Sequence, residues 1–174
     1  SKSFIDEGRW NKVLSLVKKG DYVFIQFGHN DEKTDPKRHT DAGGGSFDAN
    51  LKRFVMDTRA RGGIPVLFNS IVRRNFETVA GMLAVDSAVS QDDFRKDANP
   101  DAKRDASSSP HRKEGGRLID THGAYLDSPR NVAEKLNVPF VDMNRITHKL
   151  VEGLGPDESK KLFMWVAPDI VPAM

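Results

Sequence analysis

A short run of β-branched and aromatic residues, Tyr22 to Phe27, constrains the fold of this chain more than any other feature. Apolar residues lie on both faces of the strand that it predicts, so this strand would be buried on both faces. The run ends at Gly28, and it follows a segment in which apolar residues recur at helical spacing from Trp10 to Val17. A strand with two buried faces, next to an amphipathic helix, is typical of a parallel sheet between layers of helices.

The same alternation of helix and strand continues along the chain. Three further helices are predicted around Phe47–Val55, Pro129–Leu136 and Ile146–Val151, and two further strands at Ile64–Phe68 and Val138–Met143. Ser46 and Asn144 are residue types that cap helices, and each stands where one of these helices begins. Strands that alternate with helices form a parallel sheet with right-handed crossovers and helices on both faces. We therefore predict an α/β fold, a three-layer α/β/α structure with a flavodoxin-like parallel sheet. Residues 1–174 would form one domain.

Residues 86–116 depart from this pattern, because they are rich in Asp, Arg, Lys, Ser and Gly and carry few apolar side chains. A segment this polar cannot offset its ordering entropy by burying apolar surface. We therefore predict a polar insertion here, either a disordered surface loop or a lid.

The composition excludes several classes of protein. The net charge is +2, from 27 basic and 25 acidic side chains, which argues against a nucleic-acid partner. The absence of Cys excludes disulfides, thiolate zinc sites and a Cys nucleophile. No apolar run is long enough to predict a membrane span. The first residue is Ser1 and not Met, which suggests a processed, trimmed or partial chain.

Ligands of open α/β sheets bind beyond the carboxyl ends of the strands. This rule selects three stretches of the sequence, Gly28–Asp31, Asn69–Arg74 and Asp142–Asn144. In the first, Gly28 permits a tight turn and a close approach to a ligand. The Asn30 amide could donate a hydrogen bond to a developing oxyanion. The alternatives are a turn closed by Asx hydrogen bonds and metal ligation by His29 and Asp31.

Charged residues follow the second predicted strand as an adjacent pair, Arg73 and Arg74. Two guanidinium groups at this edge could bind an acidic ligand. The alternatives are a solvated surface pair or a structural bridge to Asp142. Asp120 and His122 are only two residues apart, so on a helix they would point in different directions. A structural or capping role is favoured for them.

The loop Gly28-His29-Asn30-Asp31 resembles the third conserved block of the SGNH (GDSL-like) hydrolases, Gly-x-Asn-Asp after a strand. The form Phe-Gly-His-Asn-Asp looks like their rhamnogalacturonan acetylesterase branch. The resemblance continues in order through four further segments, which lie at Asn50–Phe54, Pro65–Ser70, Val72–Phe76 and Leu118–Asn144.

This resemblance implies the SGNH hydrolase fold with a sheet of about five strands, and removal of acetyl groups from pectic polysaccharide without a cofactor. A Ser attacks the acetyl carbonyl, a His acts as base and an Asp orients that His. Three donors hold the oxyanion, of which the side-chain donor maps onto Asn30, with Gly28 shaping its loop. His29, Asp31, Arg73 and Arg74 are predicted to contact an acetylated acidic polysaccharide. No metal is implied, and members of the family are typically secreted or periplasmic.

The chain departs from the family pattern at both ends. It contains no Gly-Asp-Ser nucleophile block, and it reaches Met174 without the family's Asp-x-x-His pair. The nucleophile strand is central in the family's sheet, so without it the run Tyr22 to Phe27 would form an apolar edge. A fragment, or a chain completed by a partner, is expected.

Two functions follow from these observations. The first is a carbohydrate acetylesterase whose catalytic Ser, Asp and His lie outside the 174 residues, with the chain inactive alone. The second is a non-catalytic carbohydrate-binding or interaction remnant of the same fold. A flavodoxin-like binding module would need a phosphate loop after its first strand, and none is present.

Overall fold

The computed structural model describes residues 1–77, 83–84 and 117–163, so the predicted insertion at 86–116 lies outside the described residues. The helices are α1 (Lys2–Asp6), α2 (Arg9–Leu16), α3 (Ser46–Ala60), α4 (Asp127–Leu136) and α5 (Met143–Glu158). The strands are β1 (Tyr22–Gln26), β2 (Ile64–Phe68), β3 (Phe76–Glu77), β4 (Leu83–Ala84) and β5 (Phe140–Val141). Short 3₁₀ helices follow at Gly123–Tyr125 and Ser159–Leu162.

Three of the strands form a parallel sheet in the order β1-β2-β5. Ile25 of β1 is in register with Leu67 of β2, and Leu67 is in register with Phe140 of β5. Helices α3 and α4 connect and flank these strands. The predicted α/β fold with a parallel sheet is therefore confirmed, with a sheet that is small in the described residues.

The main core lies between one face of this sheet and the helices. Its centre consists of residues that are fully buried, namely Phe47, Leu51, Phe54 and Val55 of α3 and Leu67 of β2. Trp10 of α2 closes it, with its ring 4.7 Å from that of Phe54. These helical residues recur at i, i+4, i+7 and i+8, the spacing that places apolar side chains on one helix face. The stripes that predicted α2 and α3 are thus the faces that pack.

The expectation that both faces of β1 are buried is wrong. Tyr22 is 67% exposed and Phe24 is 70% exposed, whereas Ile25 on the opposite face is 3% exposed. In the described part of the chain β1 pairs only with β2 and forms an edge of the sheet. Period-2 alternation divides the strand into two faces, and only the face toward α3 is covered. The expected apolar edge is confirmed.

The helix caps also differ from the prediction. Gly45, and not Ser46, is the N-cap residue of α3, and Ser46 already lies inside the helix. Asp142, and not Asn144, caps α5, and its carboxylate accepts a hydrogen bond from the Arg145 N–H at 3.0 Å. The strand β5 is correspondingly shorter than predicted, because Asp142 leaves the strand to begin the helix. Cap identity depends on this local backbone geometry and not on residue type alone.

Candidate active site

The loop after β1 is a tight turn that is held by its own hydrogen bonds. Gly28 has φ of 125°, a left-handed conformation that favours glycine. Its N–H donates to the Asp31 carboxylate at 3.1 Å, and its carbonyl accepts from the Asp31 N–H at 3.0 Å. The loop is therefore a turn closed by the Asp31 N–H and braced by the Asp31 side chain, and it places His29 and Asn30 at the tip.

Asp31 is buried beneath this turn, with 1% of its surface exposed. Its carboxylate accepts hydrogen bonds from the Thr40 hydroxyl at 2.9 Å and from the Ser1 hydroxyl. The carboxylate that we predicted to contact substrate is thus turned inward in this structure. Because a buried carboxylate must be paired or hydrogen-bonded, its contribution here is to hold the loop.

His29 and Asn30 are exposed, and both line a cleft of about 730 Å³ beside the end of β1. The floor and rim of the cleft include Phe4, Gln26, Phe27, Gly28 and Arg38. Within residues 1–77 and 117–163, the Asn30 carboxamide makes no hydrogen bond to another protein group. Its N–H donors are therefore available to a ligand in the cleft.

The two arginines predicted to bind an acidic ligand point to different partners. Arg73 forms a salt bridge with Glu32, donates to the His29 carbonyl at 3.0 Å and donates to the Thr121 hydroxyl at 3.2 Å. Arg74 donates to the Pro156 carbonyl at 2.9 Å, in the last turn of α5. The pair does not form one clamp in this structure. The alternative of a bridge to Asp142 is wrong.

Glu32 and His122 meet next to the loop, which the sequence did not predict. The His122 side chain is fully buried, and its Nδ1 lies 3.0 Å and 3.1 Å from the two carboxylate oxygens of Glu32. Its Nε2 lies 2.9 Å from the Ile71 carbonyl. The sequence carried only a weak signal for this contact. Glu32 directly follows the loop, but 90 residues separate it from His122. The Asp120 carboxylate accepts a hydrogen bond from the His122 N–H at 3.0 Å, which is a structural role of the kind favoured for Asp120.

The third predicted stretch, Asp142–Asn144, contacts the second, Asn69–Arg74. Asn69, at the end of β2, donates to the Asp142 carboxylate at 2.9 Å and accepts from the Asn144 N–H at 2.9 Å. Arg130 pairs with the same carboxylate at 2.8 Å. Partial burial acts to raise the pKa of Asp142. The hydrogen bonds from Asn69 and the Arg145 N–H and the charge of Arg130 outweigh it, so the pKa is lowered. This network secures the carboxyl ends of β2 and β5.

The described residues hold neither a cluster of metal ligands nor a membrane-spanning helix. No group of three or more His, Asp or Glu side chains in these ranges is arranged to hold a metal ion. Within the same ranges, no helix has the length and apolar character needed to cross a bilayer.

Comparisons with known proteins bear on this loop and fold. No family model matches the chain. It is 30% identical to the rhamnogalacturonan acetylesterase RhgT of Bacillus subtilis, over 97% of this chain and 56% of RhgT. This similarity supports the resemblance of the chain to the SGNH-like hydrolases. It is 25% identical to a rhamnogalacturonan acetylesterase of Emericella nidulans, over 90% of this chain and 57% of that protein.

Two further proteins are matched over a smaller share of their own length. A probable rhamnogalacturonan acetylesterase of Bacillus subtilis, YesY, is 33% identical over 44% of this chain and 36% of that protein. The crystal structure of protein YXIM from Bacillus subtilis superposes with a TM-score of 0.60 at 18% identity, over 93% of this chain and 35% of that one. The structural likeness to YXIM supports the fold alone. The SGNH-like chain spans about half the length of the curated relatives RhgT and the Emericella enzyme.

The geometry of the SGNH-like loop predicts a specific cost for a side chain at Gly28. A Cβ added there would lie 2.8 Å from the Ser70 hydroxyl oxygen, at a φ that disfavours any L residue. Gly28→Ala should lower the free energy of unfolding by about 1–2 kcal/mol from the left-handed backbone and by about 1–3 kcal/mol from overpacking. Urea unfolding measures the loss.

Gly44→Ala is the matched control for Gly28→Ala. Gly44 also has positive φ, 104°, but no atom lies within 4 Å of its added Cβ. It should therefore show the backbone cost without the steric one. Adding Ser70→Ala to Gly28→Ala should recover part of the steric cost. Equal losses for Gly28→Ala and Gly44→Ala would contradict the close approach at Ser70.

The environment of His29 predicts a pH effect on stability. Desolvation of the ring, followed by the positive charges of Arg73, His122 and Lys33, lowers its pKa from 6.5 to about 3. Between these values the unfolded chain binds a proton at His29 that the folded chain does not. The contribution of His29 to the free energy of unfolding should therefore decrease as the pH falls below about 6.5.

Comparison of urea unfolding of the native sequence and His29→Gln between pH 7 and pH 4 isolates this contribution. The variant should lose less stability over that range, since it removes a group whose neutral form is favoured. A titration of the His29 ring by NMR gives an independent value. A His29 ring that gains its proton near pH 6.5 in the folded protein would contradict the prediction.

Proposed function

We propose that this chain is part of an acetylesterase that removes acetyl groups from a pectic polysaccharide of the rhamnogalacturonan type. The observation that carries the proposal is the placement of Asn30 at the tip of a rigid turn, exposed at the cleft, with its carboxamide free of hydrogen bonds to the described residues. The names of RhgT and of the Emericella relative support the substrate class.

In this proposal Asn30 donates a hydrogen bond to the oxyanion that forms when a Ser hydroxyl adds to the acetyl carbonyl. The sugar hydroxyl then leaves with a proton from a His, and water releases acetate from the acetylated Ser. Gly28 contributes the turn that presents Asn30. The Ser and the Asp-His pair have no matching motif within these 174 residues. We therefore expect the chain alone to be inactive toward esters.

Contacts with an acidic polysaccharide are a further part of the proposal. His29 stands at the exposed tip of the loop, where it can contact the sugar chain as an uncharged ring. Arg74 is half-buried and stays a candidate for a substrate contact, whereas Asp31 is buried. A polymeric pectin substrate would be met outside the cytoplasm, so we also propose a secreted or periplasmic location.

The test compares the 174-residue chain with an extended protein that includes the coding sequence on both sides. Acetate release is measured with 4-nitrophenyl acetate and with acetylated and deacetylated pectin. The proposal predicts activity in the extended protein only, and release from acetylated rhamnogalacturonan. Ester hydrolysis by the 174-residue chain would show that the chemistry lies elsewhere in its sequence.

The non-catalytic alternative gives a different result in the same experiment. Binding of pectic oligosaccharides is measured by calorimetry. An extended protein that binds them but releases no acetate would be a carbohydrate-binding remnant of this fold. An extended protein that neither binds nor hydrolyses them would overturn both functions.

A further inference from the structure

Three segments far apart in the sequence meet in one charged cluster behind the loop. Glu32 follows the Gly28–Asp31 turn, Arg73 follows β2, and His122 precedes the 3₁₀ helix Gly123–Tyr125. The Glu32 side chain is 6% exposed, that of Arg73 is 15% exposed and that of His122 is fully buried. These three residues are called the Glu32 cluster below.

Within the Glu32 cluster, Arg73 is the residue that reaches the loop tip. One of its amino groups donates to the His29 carbonyl at 3.0 Å, and the other donates to the Thr121 hydroxyl at 3.2 Å. The His29 carbonyl belongs to the peptide bond that leads into Asn30. Because a peptide unit is planar, fixing the direction of this carbonyl also fixes the N–H and the Cα atom of Asn30.

The other two members of the Glu32 cluster hold Arg73 and each other in place. Glu32 accepts from the Arg73 guanidinium and from the His122 ring. The two ring nitrogens of His122 face a carboxylate and the Ile71 carbonyl, both of which only accept hydrogen bonds. The ring therefore ties the loop to the segment after β2.

The opposite side of the turn is held separately. Asp31 accepts from Gly28 and Thr40 on the buried side, and its contacts do not include the His29–Asn30 peptide. Among the described residues, Arg73 supplies the side-chain hydrogen bond to that peptide. The position of Asn30 matters because an oxyanion donor must lie within about 2.7–3.1 Å of the developing charge.

We propose that Arg73, held by Glu32 and His122, is a positioning residue that aims the Asn30 carboxamide, and that it is not a contact for the acidic polysaccharide. The inference rests on the proposed function, since it assigns Arg73 a role in the same oxyanion site. It replaces the expectation that Arg73 and Arg74 bind the acidic polymer together.

The first test is steady-state kinetics of Arg73→Ala in the extended protein, with 4-nitrophenyl acetate and acetylated pectin as substrates. Misplacement of a catalytic group by about 1 Å can cost about 100-fold, so kcat should fall by up to that factor on both substrates while KM changes little. Arg73→Lys should restore part of the loss. A rise in KM for acetylated pectin, with unchanged turnover of the uncharged ester, would instead make Arg73 a substrate contact.

The control is Arg59→Ala. Arg59 also donates to backbone carbonyls, those of Leu136 and Asn137, but at the carboxyl end of α3, away from the loop. Its loss should leave kcat unchanged.

The second test is the double variant Asn30→Ala/Arg73→Ala. A residue that acts only through Asn30 has little left to disturb once the carboxamide is gone. The double variant should therefore be no slower than Asn30→Ala alone, to within about threefold. Fully multiplicative losses would overturn the inference. If Asn30→Ala itself has no effect in an active protein, the proposed oxyanion role fails, and the positioning of the loop is judged by the third test.

The third test does not depend on activity. The Asp31 and Glu32 amides both donate to the Gly28 carbonyl and so report on the turn. Their hydrogen exchange in Arg73→Ala should be about tenfold faster or more, because a lost tie of about 1.4 kcal/mol corresponds to tenfold, and that in Arg59→Ala should be unchanged. Unchanged exchange in Arg73→Ala would show that Arg73 does not hold the loop.

Discussion

Asn30→Ala is expected to lower kcat for acetyl ester hydrolysis in the extended protein by about 10²–10³-fold, or about 2.7–4 kcal/mol of transition-state stabilisation. The loss should appear in kcat because the hydrogen bond strengthens as negative charge develops on the carbonyl oxygen. KM should change little for 4-nitrophenyl acetate. Stability should also change little, since Asn30 is exposed and its side chain makes no hydrogen bond to the described residues.

Two further variants sharpen this result. Asn30→Asp keeps the shape of the side chain but replaces the donor with a carboxylate, so its loss should be at least as large as that of alanine. Asn11→Ala removes an exposed asparagine from α2 and is expected to leave kcat unchanged. A kcat within twofold of the native value for Asn30→Ala would exclude the oxyanion role.

Glu32→Ala is expected to lower the free energy of unfolding by about 3–5 kcal/mol. Removal of the carboxylate leaves the Arg73 guanidinium and the His122 ring without their shared anion. Both groups are largely out of solvent, with His122 fully buried and Arg73 15% exposed. Water cannot replace the lost partner at such a site.

The matched control for Glu32→Ala is Asp6→Ala. Asp6 pairs with Lys2 across one turn of α1, and the two side chains are 54% and 38% exposed. An exposed pair of this kind contributes about 0.2–1 kcal/mol. Urea unfolding of both variants at pH 7 therefore compares a buried with an exposed carboxylate. Losses of similar size would mean that the Glu32 cluster is open to water in solution.

Glu32→Gln separates charge from shape at the same position. The amide oxygen can still accept hydrogen bonds but the group carries no charge, so we expect a loss smaller than that of alanine. A loss equal to that of alanine would mean that the charge, and not the packing of the side chain, carries the stabilisation.

Local patterns in the sequence predicted those parts of the fold that depend on neighbouring residues. The apolar stripe from Phe47 to Val55 is the buried face of α3, and Ile64–Phe68 is β2 with the predicted bounds. Gly28 follows the first strand in the positive-φ conformation that a tight turn there requires. The resemblance of the loop to a hydrolase block then predicted an oxyanion donor at Asn30. Periodicity and turn chemistry act over a few residues, so a sequence displays them directly.

The tertiary structure alone decided which distant groups meet. Apolar composition at Tyr22 and Phe24 could not show which face of β1 would be covered, because that depends on the elements packed against it. Arg73 was predicted as half of a ligand clamp, yet it faces Glu32, 41 positions earlier in the chain. His122 joins the same carboxylate from 90 positions away. Pairing of buried charges follows from the path of the chain through the fold, and no pattern local to these residues encodes it.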